Sequence, residues 1–491
     1  MSEKYIISID QSTQGTKALL FDDKGSLLKR VDKSHKQIVN DKGWVSHDPV
    51  EIYHNTIEVV VALVTESGID RDKVSAIGIS NQRETSVAWN RKTGEPIDNA
   101  IVWQCARAVD ISERIESAGN AELIRERTGL RLSPYFPAAK IAWFLENVSG
   151  ARELSNEGNL CHGTVDSWLL FKLTDGGVYK TDYSNASRTQ LFNIFELKWD
   201  EEICKIFGIS SKNMPEVCDS NSLFGETDFD GFFNNPVPIH GVLGDSHGAL
   251  FAQGCLKPGM IKSTYGTGSS IMMNIGKTPT LSSHGVVTSL AWGMSGEVNY
   301  VLEGNINYTG AVISWLKNDV NLIESAGESE ELCNKAIKDD ELYLIPAFTG
   351  LGAPYWVSNS RGILSGISRT TGKAEIVRAG VECIAYQITD VIKAMSADSG
   401  IEVTELRVDG GPTRNQYLMQ FQSDITGADV LVPNAEELSG IGAAYSAGIG
   451  IGLYNMNVIE GIKRTKYYPK MEEELKDRKY EGWKSAVGMI L

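Results

Sequence analysis

No stretch of this 491-residue chain approaches the roughly 20 consecutive apolar residues that a membrane-spanning helix needs. At the amino end, Met1-Ser2-Glu3-Lys4 leads straight into a strand pattern, which excludes a secretory apolar region and points to a cytoplasmic protein. Cysteine is scarce as well. Cys105, Cys161, Cys204, Cys218, Cys255, Cys333 and Cys383 are scattered, odd in number and free of any C-x-x-C pair, so a disulfide framework is excluded and reduced thiols are expected. His240 and His247 lack metal-ligand spacing, and neither is assigned to a metal. Positive charge is in deficit: 47 Lys and Arg stand against 63 Asp and Glu, a net charge of -16. A general nucleic-acid binder is thereby excluded, and an anionic substrate needs local basic residues. No proline-rich or serine-rich linker and no low-complexity segment is found, so any domains are joined by a tight hinge rather than a tether.

The chain is long enough that a single core would stop growing, so two domains are expected, with a boundary near residue 250: 1–250 and 251–491. Tyr5 to Ile9, Lys17 to Phe21 and Ser26 to Val31 read as a three-stranded meander broken by a polar glycine-bearing turn and by Asp22-Asp23-Lys24-Gly25. A comparable unit starts the second half, where Met260 to Tyr265 and Ser269 to Ile275 flank Gly266-Thr267-Gly268. That repetition suggests a duplication. Pro49 to Ser67, Ala138 to Val148 and Ala374 to Ser396 have helical apolar spacing, whereas Val74 to Ile79 and Ser86 to Trp89 read as strands. An α/β fold follows from the alternation. Leu406-Arg407-Val408-Asp409 runs into a glycine turn with a helix from Asn415, and Met471 to Leu491, with Trp483, reads as a surface helix. Gly350-Leu351-Gly352 is a candidate for the flexible connection between halves.

Phosphoryl transfer requires donors around the phosphates, carboxylates for Mg²⁺ and a base near the attacking hydroxyl, and the chain offers a candidate for each. Thr13, Gln14, Gly15 and Thr16 can present backbone N–H and hydroxyl donors, Lys17 follows them, and Asp10 at the strand end can reach a hydrated metal. Taken alone, this is also an ordinary hairpin. The second turn, Gly266-Thr267-Gly268, fits two domains clamping one phosphate chain, and Asp409-Gly410-Gly411-Pro412-Thr413 fits a turn beneath an adenine ring. Asp245 follows an apolar strand through Gly244 and is the candidate general base, its alternative being a helix N-cap. Arg83 and Glu84 suit neighbouring hydroxyls of one substrate, or form an exposed ion pair. Trp103 and Tyr135 offer an apolar wall, or belong to the core.

Together these residues resemble the FGGY carbohydrate kinases over nearly the whole chain, most closely their glycerol-phosphorylating branch. Tyr135-Phe136-Pro137-Ala138-Ala139-Lys140-Ile141-Ala142-Trp143-Phe144-Leu145-Glu146-Asn147 is similar to the family's first signature, and Gly362 to Glu382 to the second, with Gly380 a slight departure. Gly43 to Pro49, Asn81 to Thr85, Ala100 to Cys105, Thr181 to Thr189 and Pro346 to Trp356 are also family-like. The resemblance implies two actin-like, ribonuclease-H-like ATPase domains closing over ATP and a small polyol or ketose, in a homo-oligomer. It implies that Asp10 and Asp245 handle Mg²⁺, that Thr13 and Thr267 approach the phosphates, and that Gly310, Gly411 and Asn415 line the nucleotide. Arg83, Glu84, Trp103, Tyr135 and Asp245 match the acceptor positions.

Departures fall in that acceptor pocket. Ser246 and His247 stand where the branch carries two glutamines, and Ser270 where it carries a phenylalanine. An enlarged pocket is expected, with a tetritol, xylulose or ribulose as acceptor and Ser246, His247 and Ser270 meeting the added hydroxyls. Ser314 replaces a glutamine near the nucleotide. The alternative of another class is an actin- or Hsp70-like nucleotide-driven module or a sugar sensor, which has no use for the acceptor residues.

Overall fold

The computed structural model describes residues 4–337 and 341–491, so Met1 to Glu3, on which part of the amino-terminal reading rests, lie outside the described residues. Two sheets share one plan. The first runs Leu223–Thr227, Val237–Gly244, Val74–Asn81, Tyr5–Gln11, Gly15–Phe21, Leu27–Ser34. The second runs Val287–Met294, Glu297–Ile306, Ser269–Gly276, Ile261–Tyr265, Glu405–Asp409, Asp429–Pro433, Arg464–Tyr467. In each, a first strand pairs antiparallel with its successor and parallel with a strand from much later in the chain: Tyr5–Gln11 with Val74–Asn81, and Ile261–Tyr265 with Glu405–Asp409. Strands covered on both faces read as continuous apolar runs, as Ile6, Ile7 and Ile9 do here.

Local signals explain the main helices. Asp48 accepts a hydrogen bond from the Val50 amide, Pro49 opens the helix Pro49–Ser67, and Gly68 closes it in the left-handed region at φ 69°. Ile52, Val59, Val60 and Leu63 form its buried face, each fully buried side chain contributing about 1.5–3 kcal/mol. The 27-residue helix Lys373–Ser399 is buried along most of its length. The last helix, Glu473–Gly488, does more than cover a surface. Its Trp483 is buried, stacks on Tyr386 with centroids 5.0 Å apart, and donates from Nε1 to Asp390 at 2.8 Å.

One element crosses between the halves. Helix Leu438–Gly450 lies in the chain between the last two strands of the second sheet but packs on the first sheet and on helix Asp245–Ala252. The contact is backbone against backbone: a Cβ on Gly442 would lie 2.0 Å from the Gly248 carbonyl oxygen, and one on Gly78 would lie 2.5 Å from that of Ala443. Only glycine permits such an approach. Gly350-Leu351-Gly352, by contrast, supplies no hinge. Leu351 bonds Val357 at 2.7 Å and Ala353 bonds Asn305 at 3.2 Å, so that loop is tied to a strand of its own half. All seven cysteines are unpaired thiols, and among the described residues no helix is long and apolar enough to cross a membrane.

Candidate functional site

Three parallel strands end side by side at one edge of the first sheet, where open α/β sheets gather ligands. Tyr5–Gln11 delivers Asp10, Val74–Asn81 delivers Arg83 and Glu84 through a short turn, and Val237–Gly244 delivers Asp245; Asp10 pairs with Ser80, and Asn81 with Gly244. Asp245 opens helix Asp245–Ala252 behind Gly244, which is itself the N-cap, so the capping alternative does not describe it. A cavity of about 530 Å³ lies between the two sheets, lined from the first half by Thr13, Arg83, Glu84, Trp103, Tyr135, Asp245 and Ser246. From the second half come the turn Gly266, Thr267 and Gly268, with Ser270, Asn305 and Asn307. The predicted acceptor and phosphate groups therefore converge, apart from His247.

Arg83 and Glu84 are not the exposed ion pair of the bland alternative: both are buried. The Arg83 guanidinium donates through Nη1 and Nη2 to the two carboxylate oxygens of Glu303, each at 2.9 Å, and through Nη2 to the Ser246 hydroxyl at 3.2 Å. Its Nε lies 3.2 Å from an Asp245 oxygen. Glu84, held at φ 59°, accepts from Arg188 Nε at 2.6 Å, and Arg188 Nη1 stands 2.9 Å from Glu303. Burial pulls the Arg83 guanidinium down, but Glu303, Glu84 and Asp245 outweigh it and hold the group well above its ordinary range. Burial pushes the Glu303 carboxyl up, and Arg188 and Arg83 more than reverse it. Arg83 and Glu303 therefore meet as a charged pair. Trp103 donates from Nε1 to the Thr13 hydroxyl at 2.9 Å and meets Tyr135 edge-on at 5.7 Å.

His247 is a correction. Its ring is fully buried and absent from the cleft wall, because position 247 of the helix turns it behind Gly244 rather than toward the opening. Burial and the Arg83 cation hold its imidazole well below the ordinary range, so it is neutral filler. Ser246 and Ser270 do face the cleft, with hydroxyls 3.5 Å apart.

A second cavity of about 650 Å³ brings Asp10, Lys17 and Asp245 together with Thr264, Asp409, Gly410, Gly411, Thr413 and Glu437. Gln14, Thr16 and Lys17 border the adjoining space around the first turn. Lys17 donates to Glu437 at 2.5 Å and lies 3.8 Å from Asp10, which settles its direction: it enters the cleft. Burial pushes the Asp10 carboxyl up to about 6, Lys17 lowers it, and Asp245 and Glu437 raise it. Such a carboxylate sits in a negative field that a divalent cation would relieve. Asp10 and Asp245 face one cavity, and carboxylate oxygens are the donors Mg²⁺ takes while retaining water and phosphate ligands; among the described residues no group of three or more His, Cys, Asp or Glu is placed to hold a metal ion there or elsewhere. Gly310 lies against the second turn, its amide bonded to Gly266 at 2.9 Å. Gly310 and two further nucleotide candidates are not part of that cavity's lining. Ser314 is exposed on helix Gly310–Asn318, and the Asn415 side chain caps Leu418 at 2.9 Å and bonds Ser329 at 3.1 Å.

Sequence reasoning missed Glu303, Arg188 and Glu437. A lone carboxylate in Val301-Leu302-Glu303-Gly304, inside an apolar strand, was the available signal for the first.

The domain models of the FGGY family of carbohydrate kinases match residues 5–252 (N-terminal domain) and 261–451 (C-terminal domain). Glycerol kinase 1 of Thermotoga maritima is 47% identical over 99% of both chains, and the glycerol kinase of Petrotoga mobilis 46% identical over 99% of this chain and 98% of its own. The crystal structure of Plasmodium falciparum glycerol kinase with ADP superposes with a TM-score of 0.94 at 33% identity, covering 99% of this chain and 98% of that one. Xylulose kinase from Lactobacillus acidophilus, at 21% identity and a TM-score of 0.87, shares the fold. With both domain models matched and the two-domain actin-like architecture in place, the chain belongs to the FGGY family of carbohydrate kinases.

Proposed function

We propose that this ATP-dependent polyol kinase phosphorylates a terminal hydroxyl of an acceptor longer than glycerol, a tetritol or a pentulose, with Asp245 as catalytic base. One observation carries the acceptor: the cavity that Glu84 lines is also lined by the Ser246 and Ser270 hydroxyls, 3.5 Å apart, and by Asn305 and Asn307. Small hydroxyl-bearing side chains leave room for added carbons and supply partners for their hydroxyls, while a missing apolar contact weakens discrimination for a short substrate by about 1–3 kcal/mol.

In this reading Arg83 donates to, and Glu84 accepts from, adjacent acceptor hydroxyls, and the Trp103–Tyr135 edge covers the carbon chain. The attacking hydroxyl passes its proton to the Asp245 carboxylate as its oxygen bonds to the γ-phosphorus; the bond from phosphorus to the ADP oxygen breaks, and ADP leaves with that electron pair. Thr13 and Thr267 border the space for the transferred group from opposite halves, and Lys17 exchanges Glu437 for a phosphate oxygen. Asp10 and Asp245 would hold Mg²⁺, which would supply neutralisation of the phosphate charge. Closure of the second sheet on the first, with helix Leu438–Gly450 staying on the first, excludes water before transfer.

Glycerol itself is the second reading, favoured by 44–47% identity to proteins named glycerol kinase. ATP consumption coupled to product detection, across glycerol, erythritol, the threitols, xylulose and ribulose, separates the two. The highest kcat/KM on a four- or five-carbon acceptor supports the proposal; the highest on glycerol defeats it.

A further inference from the structure

The acceptor face of the cleft is built on a ring of four acidic and basic side chains, of which only two line the cavity. Arg83 and Glu84 line it; Glu303 and Arg188 do not. Each hidden member holds a visible one. Glu303 takes both terminal nitrogens of Arg83 at 2.9 Å in a fork, and Arg188 takes one carboxylate oxygen of Glu84 at 2.6 Å. Arg188 Nη1 stands 2.9 Å from Glu303, and the ring closes, at its longest contact, where Arg83 Nε stands 4.0 Å from Glu84. Both hidden groups are almost completely buried, so neither is a solvent-screened surface pair. The members also come from different halves. Arg83, Glu84 and Arg188 belong to the first, whereas Glu303 projects from the strand Glu297–Ile306 of the second sheet.

Without Glu303, Arg83 would keep its Nε beside Asp245 and one hydrogen bond from Nη2 to Ser246, each at 3.2 Å, and would lose the shorter two-point contact that spans both terminal nitrogens. A bidentate carboxylate fixes both plane and rotation, because two parallel N–H···O bonds define a direction where one does not. We infer that Glu303 is a positioning residue for the acceptor: across the domain boundary it sets the Arg83 guanidinium at the angle from which that group meets both the acceptor hydroxyl and the Asp245 carboxylate, while Arg188 orients Glu84. The ring ties acceptor placement to the position of the second half, so that the half carrying the Thr267 turn and the half carrying Asp245 are registered through the same side chains that grip the substrate. This inference rests on the reading that Arg83 binds the acceptor.

A double-mutant cycle tests both levels. Arg83→Gln alone should raise the acceptor KM at least tenfold; an unchanged acceptor KM would remove the underlying reading. Glu303→Gln should lower kcat/KM for the acceptor by about 10–100-fold, the scale of a small misplacement of a positioned group. The ATP KM should stay within about twofold, a split that general loosening of the fold does not produce. In the Arg83→Gln background the same substitution should add less than about threefold, because its effect passes through the lost guanidinium. Additive losses in the double variant overturn the inference while leaving the acceptor reading intact. If Glu303→Gln does not fold, Glu303→Asp keeps the charge and withdraws it by one methylene. It should show the same acceptor-specific loss in reduced degree, and equal losses toward acceptor and ATP would count against the inference.

Discussion

Replacing Asp10 by asparagine should stabilise the ligand-free protein while crippling it as a kinase. The side chain is buried at the end of the Tyr5–Gln11 strand, and burial together with Asp245 and Glu437 moves its carboxyl from 3.8 to about 6 despite Lys17 at 3.8 Å. The folded state therefore binds this proton more tightly than the unfolded one, so the ionised carboxylate works against folding at neutral pH. A shift of about two units corresponds to about 3 kcal/mol, and the buried amide of the replacement, with its own hydrogen-bond needs, returns about 1 kcal/mol of that. A net gain of about 1–3 kcal/mol is expected well above pH 6, shrinking as pH falls through about 6 toward 3.8, where the wild-type carboxyl takes up its proton. Paired denaturant titrations near neutral pH and near pH 5 read this directly; a thermal transition should move by about 2–4 °C per kcal/mol for a domain of about 150–250 residues. Added Mg²⁺ and ATP should narrow the gap by stabilising the wild type more than the variant. A variant less stable than wild type at neutral pH, or a gap indifferent to pH, would refute the claim that Asp10 is held at the site against its own solvation.

Two further substitutions probe the site and its frame. Asp245→Asn should lower kcat by about 10²–10⁴, the usual contribution of a positioned general base, with ATP affinity by calorimetry without Mg²⁺ largely intact; normal turnover would remove the base assignment. Gly442→Ala places a methyl 2.0 Å from the Gly248 carbonyl oxygen, so it should destabilise by about 1–3 kcal/mol in denaturant titration, whereas a neutral effect would mean that the crossing helices separate freely.

Much of the frame was legible because its signals are local. Helix Pro49–Ser67 carries its own cap, first-turn proline and terminal glycine, and the strands Tyr5–Gln11 and Ile261–Tyr265 announce themselves as apolar runs beside glycine turns. The residues at strand ends were legible for the same reason, since Asp10, Arg83 and Asp245 each follow such a run. What stayed hidden depends on partners far away in the chain. Glu303 meets Arg83 across 220 positions, and Lys17 meets Glu437 across 420, separations that no periodicity records. His247 misled because adjacency to Asp245 says nothing of direction: on a helix the next-but-one residue faces elsewhere. Ser314 and Asn415 were placed by resemblance; Ser314 is exposed to solvent, and the Asn415 side chain caps its own helix, Gln416–Thr426. Trp483 looked peripheral because the partners that bury it, Tyr386 and Asp390, lie about a hundred residues earlier.

The glycine-to-glycine crossing bears on how the protein is made. Ile6, Leu19, Ala76 and Leu243 of the first sheet share a core with Leu438, Ile441 and Ala444, so the helix that covers them ends at residue 450 of 491. A ribosome emits residues in order, and the amino-terminal half leaves the exit tunnel long before its cover exists. During that interval an apolar sheet face is bare and open to the wrong neighbour. Residues 1–252 expressed alone should therefore be recovered as aggregate or chaperone-bound. The same fragment supplied with the remainder of the chain as a separate polypeptide has the missing helix available and can assemble from two pieces.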